Sequence, residues 1–301
     1  MSELDYFTQL SNAMSEAVEK ASHFTVLVNA RRRLPGTGIV YKPDLIVTAN
    51  HIVEIEEDIQ ILLPDGQEVK AQLAGRDAAR DLALLRLNTS LAQPAMIAQA
   101  PARVGQMVLA LARPDANGLQ ATLGVVSALG GPVRIPQGGL LEKYIRTDAA
   151  PFPGFSGGPL INSLGEMAGL NTSAFSMDSL IAIPANIVWE AAATLAAHGH
   201  IPRGYLGIKS QAVKLSQPQK ETLAHPQESA LLLIDIEANS PSAKANLMVG
   251  DILVSLSGVP VYDHDSLQEQ LLKSNIGQSI PAEVLRGGQL VKINLTLEER
   301  K

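Results

Sequence analysis

From Phe24 to Ile183 the apolar residues come in short runs, many of them β-branched or alternating with polar ones: FTVLV, IVTA, DIQILL, LALLRL, MVLALA, YIRTD and LIAI. Short runs of this kind, separated by turn signals, predict strands rather than helices. PDGQ (Pro64 to Gln67) and NSLGE (Asn162 to Glu166) read as hairpin turns between two such runs. Many short strands at this spacing predict a mainly β region, an antiparallel barrel or sandwich. The pattern changes at two places. Phe7, Leu10, Met14 and Val18 recur every three or four positions, which predicts an amphipathic N-terminal helix. PANIVWEAAATLAAHGH predicts a second helix, with Ile187, Val188, Ala191 and Leu195 on one face and Gly199 as its cap.

IPRG (Ile201 to Gly204) reads as a linker into a second unit. There the order is strand (YLGIKSQAV), strand (SALLLIDIE), a helix opened by Ser240 with Pro241 in its first turn, and strand (DILVSLSG). A helix over 264–273 follows, then a hairpin closed by RGGQ (Arg286 to Gln289). The expected division is an N-terminal helical segment (1–22), a β domain (23–200) and a small α+β domain (201–301), the last sized for a binding module.

Composition narrows the function classes. The chain of 301 residues is 46% hydrophobic and only 4% aromatic, so aliphatic side chains must fill its cores. A net charge of −6 argues against a nucleic-acid partner, and the basic run ARRR (Ala30 to Arg33) reads as a solvated hairpin end. With no cysteine, disulfides, thiolate metal sites and a cysteine nucleophile are excluded. No stretch approaches the about 18 apolar residues that a membrane span needs. The N-terminus lacks a basic start followed by an apolar block, so a cytoplasmic protein is expected if Met1 is the native start. If a leader was removed, the location is periplasmic or otherwise extracytoplasmic.

The candidate chemistry centres on TDAAPFPGFSGGPL (Thr147 to Leu160). A serine before two glycines is often only a turn. Acyl transfer asks for more: a histidine base, a carboxylate orienting it, and backbone N–H groups aimed at the developing oxyanion. Gly154 leaves its own N–H and that of Ser156 free of an intervening Cβ. Of six histidines, five lie near helix ends or in polar segments, where a surface role is expected. His51 instead follows LIVTAN, a strand ending in small residues. Asp81 abuts the apolar run LALLRL, whereas its rival Asp77 stands further off. The chain order His51, Asp81, Ser156 is that of the double-barrel serine proteases.

On these residues the chain resembles the HtrA/Deg family of serine proteases. GTGIVY (Gly36 to Tyr41) is similar to that family's strand before the histidine, IVTANHIVE to its histidine motif and GRDAARDLALLRL to its aspartate motif. YIRTDAAPFPGFSGGPLINSLGEMAGLNT resembles the serine motif, and IAIP (Ile181 to Pro184) the approach to the linking helix. RGYLGI (Arg203 to Ile208) and SPSAKANLMVGDILVSLSG resemble its PDZ domain.

The resemblance implies a trypsin-like double six-stranded β-barrel followed by a PDZ domain. It implies that Ser156 attacks the scissile carbonyl, His51 serves as base and then acid, and Asp81 holds the His51 tautomer. N–H groups of Gly154, Phe155 and Ser156 are the implied oxyanion hole. Thr172, Ser173, Ala174 and Phe175 would edge the substrate, and Tyr205, Leu206, Gly207 and Ile208 would receive a C-terminal carboxylate. The implied activity is endopeptidase cleavage of unfolded or misfolded protein in stress-related quality control, with C-terminal peptides as PDZ ligands. Neither metal nor cofactor is called for. A proteolytically weak or inactive chaperone acting through the PDZ domain is the alternative.

Three departures from the family bear on these expectations. Phe155 stands where the family has Asn, which makes the loop dependent on packing. LARPDANG (Leu111 to Gly118) replaces a glycine turn, and Asn246 replaces a glycine after a helix, in a left-handed position that Asn tolerates. Aromatic residues near the N-terminus join three protomers in the family. For Tyr6 and Phe7 the resemblance therefore implies a homotrimer, while packing on their own barrel is an equal expectation.

Overall fold

The computed structural model describes residues 3–90, 93–134, 140–175, 179–202, 204–273 and 276–299. Its Cα packing divides the chain into two units, Met1–Ile201 and Pro202–Lys301. Arg203, named above in the linker and in the PDZ motif, lies outside the described residues.

The first unit opens with helix α1 (Glu3–Ser22), followed by β1 (Thr25–Asn29), β2 (Gly36–Lys42), β3 (Leu45–Ala49), β4 (Ile59–Leu62), β5 (Glu68–Asp77) and β6 (Leu82–Leu87). These six strands close into a barrel in the order β1-β2-β3-β6-β5-β4. Closure leaves no unpaired edge, and the alternating pattern decides which residues point inward. In β5, Val69 and Ala71 are buried while Glu68, Lys70 and Gln72 face water. PDGQ is the β4–β5 turn, where Gly66 takes φ +86°.

A second barrel has the order β11-β14-β13-β12-β7-β8. Its strands are β7 (Met107–Asp115), β8 (Gly118–Gly130), β11 (Tyr144–Thr147), β12 (Pro159–Ile161), β13 (Met167–Thr172) and β14 (Leu180–Pro184), with a small pair, β9 (Val133–Arg134) and β10 (Leu140–Leu141), between β8 and β11. The sequence left barrel and sandwich open; the register of hydrogen bonds decides for two barrels. NSLGE closes the β12–β13 hairpin, with Asn162 N–H on Glu166 C=O at 3.0 Å.

Helix α2 (Ala185–His198) buries Val188, Ala191, Ala192 and Leu195. It stops at Gly199, whose left-handed φ of +76° lets its N–H reach Leu195 C=O at 2.8 Å. Trp189 meets Tyr41 of β2 edge-on at 5.2 Å, which ties α2 to the first barrel. Among the described side chains of α1, those of the second half pack: Ala17 and Ala21 are buried and Met14 and Val18 lie against the core. Tyr6, Phe7 and Leu10 are 59%, 77% and 45% exposed, so within this chain they do not pack on their own barrel.

The second unit is a five-stranded path, β16-β17-β18-β20-β21, with β19 paired to β18. It contains β15 (Gly204–Tyr205), β16 (Ile208–Lys214), α3 (Gln217–Glu221), β17 (Ser229–Ile236), α4 (Pro241–Lys244), β18 (Ile252–Leu256), β19 (Val259–Pro260), α5 (His264–Lys273), β20 (Ser279–Arg286), β21 (Gln289–Thr296) and β22 (Glu298–Glu299). The expected first strand YLGIKSQAV is broken at Leu206–Gly207, where Gly207 takes φ +73°. Helix α3 was not expected. Its signal is the capping box from Ser216 to Gln219, in which Ser216 N–H donates to Gln219 Oε1 at 2.8 Å. Ser240 caps α4 by accepting Ala243 N–H at 3.2 Å, and Asn246 takes φ +60°, the left-handed region it was expected to tolerate. Among the described residues no helix is long and apolar enough to cross a membrane.

Candidate active site

His51 lies in a single helical turn, Asn50–Ile52, directly after β3. Asp81 precedes β6, the strand that pairs with β3, so the two residues meet at one end of the same ladder. Asp81 takes φ +56°, a left-handed backbone that short polar residues tolerate better than most. That backbone lets three contacts converge on one segment. Asn50 N–H donates to Asp81 C=O at 3.0 Å, His51 N–H donates to Asp81 Oδ1 at 2.8 Å, and His51 Nδ1 lies 2.8 Å from Asp81 Oδ2.

Asp81 is only 2% exposed, so its carboxylate must be fully hydrogen-bonded to remain charged there. The third donor comes from the second barrel: Thr172 Oγ1, also buried, donates to Asp81 Oδ2 at 2.6 Å. A carboxylate facing Nδ1 makes that nitrogen the donor and leaves Nε2 as the acceptor, the form a general base requires. The rival, Asp77, is buried too, but it is committed elsewhere. Its carboxylate accepts Ala79 N–H at 3.2 Å and pairs with Arg80 at 3.1 Å.

Ser156 sits on the loop between β11 and β12, where sequence chemistry sets the shape. Phe155 N–H donates to Phe152 C=O at 3.2 Å across Pro153 and Gly154, and Gly154 takes φ +90°. Proline followed by a positive-φ glycine is the pattern of a type II turn. Gly157, at φ +86°, is equally constrained, since a Cβ there would lie 2.0 Å from the Thr37 carbonyl oxygen. The turn has a consequence for the expected oxyanion donors. Phe155 N–H is consumed by Phe152 and does not belong with them. The N–H groups of Gly154 and Ser156 have no hydrogen-bond partner among the described residues.

Thr37, absent from the sequence-based site, holds this loop and is itself held by Thr48 and Arg113. Thr37 N–H donates to Ser156 C=O at 3.1 Å, and Thr37 Oγ1 donates to Gly154 C=O at 2.7 Å while accepting Arg113 N–H at 2.9 Å. Thr48 Oγ1 then donates to Thr37 C=O at 2.6 Å. The only signal for Thr37 was its place between two glycines in GTG. Arg113, from the LARPDANG segment, donates through Nε to Thr25 C=O at 3.1 Å, and burial lowers its pKa from the usual guanidinium value.

The Phe155 ring is 1% exposed and packs with Val108, Ala110, Val126, Ile145 and Leu160 inside the second barrel. It meets Phe152 edge-on at 6.0 Å. Hydrophobic burial therefore anchors the loop from below, and Thr37 clamps it from the first barrel.

The residues expected to edge a substrate divide by orientation. Thr172 turns its side chain inward, where it points at Asp81 and is inaccessible. Ser173 is exposed, and its hydroxyl lies 3.1 Å from Ser156 Oγ and 3.4 Å from His51 Nε2. Ala174 N–H donates to Thr172 Oγ1 at 3.0 Å, and Phe175 packs partly against the core. Among the described residues Ser156 and His51 share no direct hydrogen bond.

In the second unit, Leu206 C=O accepts Ser242 N–H at 3.0 Å and Gly207 C=O accepts Glu237 N–H at 2.9 Å. Both carbonyls of the expected carboxylate loop are thus tied inward. A Cβ on Gly207 would stand 2.1 Å from Ser240 Cβ, so the close approach requires glycine. The Tyr205 hydroxyl donates to Glu237. Ile208 begins β16, the end strand of its sheet. His264, expected as a surface histidine, is exposed yet places Nε2 3.0 Å from the Ser210 carbonyl of that strand.

Comparison with known proteins gives the same two-part division. Residues 36–170 match the trypsin-like peptidase domain and residues 204–297 match the PDZ domain. Periplasmic serine endoprotease DegP of Escherichia coli K12 is 31% identical over 277 residues, which is 88% of this chain and 57% of the relative. The chain belongs to the HtrA/Deg family. Periplasmic pH-dependent serine endoprotease DegQ of the same organism is 33% identical over 87% of this chain and 59% of its own length. Among solved structures, the serine endoprotease from Yersinia pestis has a TM-score of 0.77 at 26% identity, covering 96% of this chain and 98% of its own. The HtrA-type protease AlgW with a decapeptide has the same TM-score and identity, covering 96% and 99%. This HtrA/Deg chain spans a little over half the length of these curated relatives.

The relatives overturn the expected cytoplasmic location, because DegP and DegQ are both named as periplasmic. The expectation rested on the residues after Met1, and these carry no information about a leader that processing removes.

Proposed function

We propose that this chain is a serine endopeptidase acting outside the cytoplasm. The observation that carries the reading is the convergence of three donors on buried Asp81, which leaves His51 Nε2 as an acceptor beside the serine loop. In this reading Ser156 Oγ attacks the scissile carbonyl and its proton passes to His51 Nε2. The N–H groups of Gly154 and Ser156 stabilise the oxyanion, and His51 then protonates the leaving amine. Asp81 stays ionised throughout and stabilises the imidazolium. No metal or cofactor enters the reaction.

The substrate enters as an extended strand along 173–175. That geometry favours unfolded or misfolded protein, because a folded substrate has no free strand to offer. The PDZ unit takes a C-terminal peptide by adding it to the edge of β16, with N–H groups of the Leu206–Ile208 segment receiving the carboxylate. Incubation with unfolded casein tests the activity. The parent is expected to cleave and Ser156→Ala to leave casein intact; no cleavage by either protein sinks the reading.

Tyr6, Phe7 and Leu10 support a homotrimer, since an exposed aromatic cluster on one helix is an interface in search of a partner. Replacing Tyr6 and Phe7 together by Ala is expected to convert a trimeric mass in light scattering to a monomeric one. A monomeric parent refutes the assembly.

A further inference from the structure

Ser173 stands between the two groups that must meet for acyl transfer. Its hydroxyl is 3.1 Å from Ser156 Oγ and 3.4 Å from His51 Nε2, whereas Ser156 and His51 share no direct hydrogen bond among the described residues. The direction of this chain follows from Asp81. In the neutral imidazole, with Nδ1 donating to Asp81, Nε2 accepts, so Ser173 donates to Nε2. The Ser173 oxygen is then the acceptor for the Ser156 hydroxyl, whose proton points away from the base.

We propose that Ser173 is a positioning residue that holds the resting nucleophile out of line with His51. This rests on the reading of Ser156 and His51 as nucleophile and base. A relay through Ser173 would instead need proton transfer across the longer contact. At 3.4 Å that contact is a long, weak hydrogen bond beside the usual about 2.5–3.2 Å, enough to orient the hydroxyl but poor for passing a proton. Ser173 is exposed and follows the last residue of β13, on the edge where an extended substrate lies. A substrate strand lying against this edge displaces the Ser173 hydroxyl, and Ser156 then turns to His51. Coupling of nucleophile and base is thus made conditional on an occupied substrate edge.

Ser173→Ala removes the competing hydroxyl and leaves His51, Asp81 and the oxyanion donors in place. A small fluorophosphonate reaches Ser156 without forming a substrate strand, so its second-order labelling rate is expected to rise about 3- to 10-fold, the scale of one net hydrogen bond. On casein, which displaces the hydroxyl itself, the gain is expected to be smaller. Ser173→Thr restores a hydroxyl and is expected to bring labelling back toward the parent rate, which a packing effect of the alanine would not do. Equal or slower labelling of Ser173→Ala beside a parent that labels and cleaves overturns the proposal and leaves the catalytic reading intact. If neither protein labels nor cleaves, the catalytic reading falls and the positioning role with it.

Discussion

Asp81→Asn is expected to lower kcat/KM on a peptide substrate by about 10⁴-fold with little change in KM, a loss of the size that a wrong histidine tautomer produces in triad enzymes. The reason is the distribution of donors around the carboxylate. Oδ1 accepts the backbone N–H of His51, which cannot turn away. Oδ2 accepts from Thr172 Oγ1, which can rotate, and faces His51 Nδ1, which can lose its proton. The asparagine NH2 therefore settles at the Oδ2 position, where Thr172 and Nδ1 both become acceptors. The imidazole proton moves to Nε2, and His51 can no longer take one from Ser156. Steady-state kinetics beside Asp77→Asn provide the control. Asp77 holds Arg80 rather than His51, and breaking a buried pair leaves an uncompensated charge, so its variant is expected to lose thermal stability while turnover stays within about threefold. Equal losses of turnover in both variants would show that Asp81 acts only through folding.

The second large effect concerns stability. Phe155→Ala is expected to destabilise the first unit by about 3–5 kcal/mol, the cost of emptying a fully buried aromatic site. For a unit of this size that lowers its melting temperature by roughly 6–20 °C. Phe155→Asn restores the residue typical of the HtrA/Deg family and is expected to be no better. Its amide would enter a cluster of Val108, Val126, Ile145 and Leu160 that offers only apolar side chains. Both variants also free the peptide that carries Ser156, so fluorophosphonate labelling is expected to fall even at temperatures where the barrels stay folded. Calorimetry reads the first effect and labelling the second. An unchanged melting temperature in both variants would mean that the ring contributes nothing to holding the loop.

Much of this protein is legible in its sequence because the signals are local. The strand runs of the first unit, the PDGQ and NSLGE turns, the Gly199 cap and the positive-φ Asn246 each depend on a few neighbouring residues, and each is found where the pattern puts it. The order His51, Asp81, Ser156 and the proline–glycine turn before the serine are likewise carried by short motifs. What the sequence could not supply lies in contacts between distant segments. The bond of Thr172 to Asp81 joins residues 91 apart, and Thr37 reaches Gly154 across 117. Neither partner is marked by its own neighbours, so periodicity and turn chemistry are silent about them. Phe155 shows the same division. Its sequence announced a bulky residue beside a candidate nucleophile, but only closure of the second barrel decided that the ring is core. The local turn spends its N–H, and the meeting of the two barrels brings the Ser173 hydroxyl between Ser156 and His51.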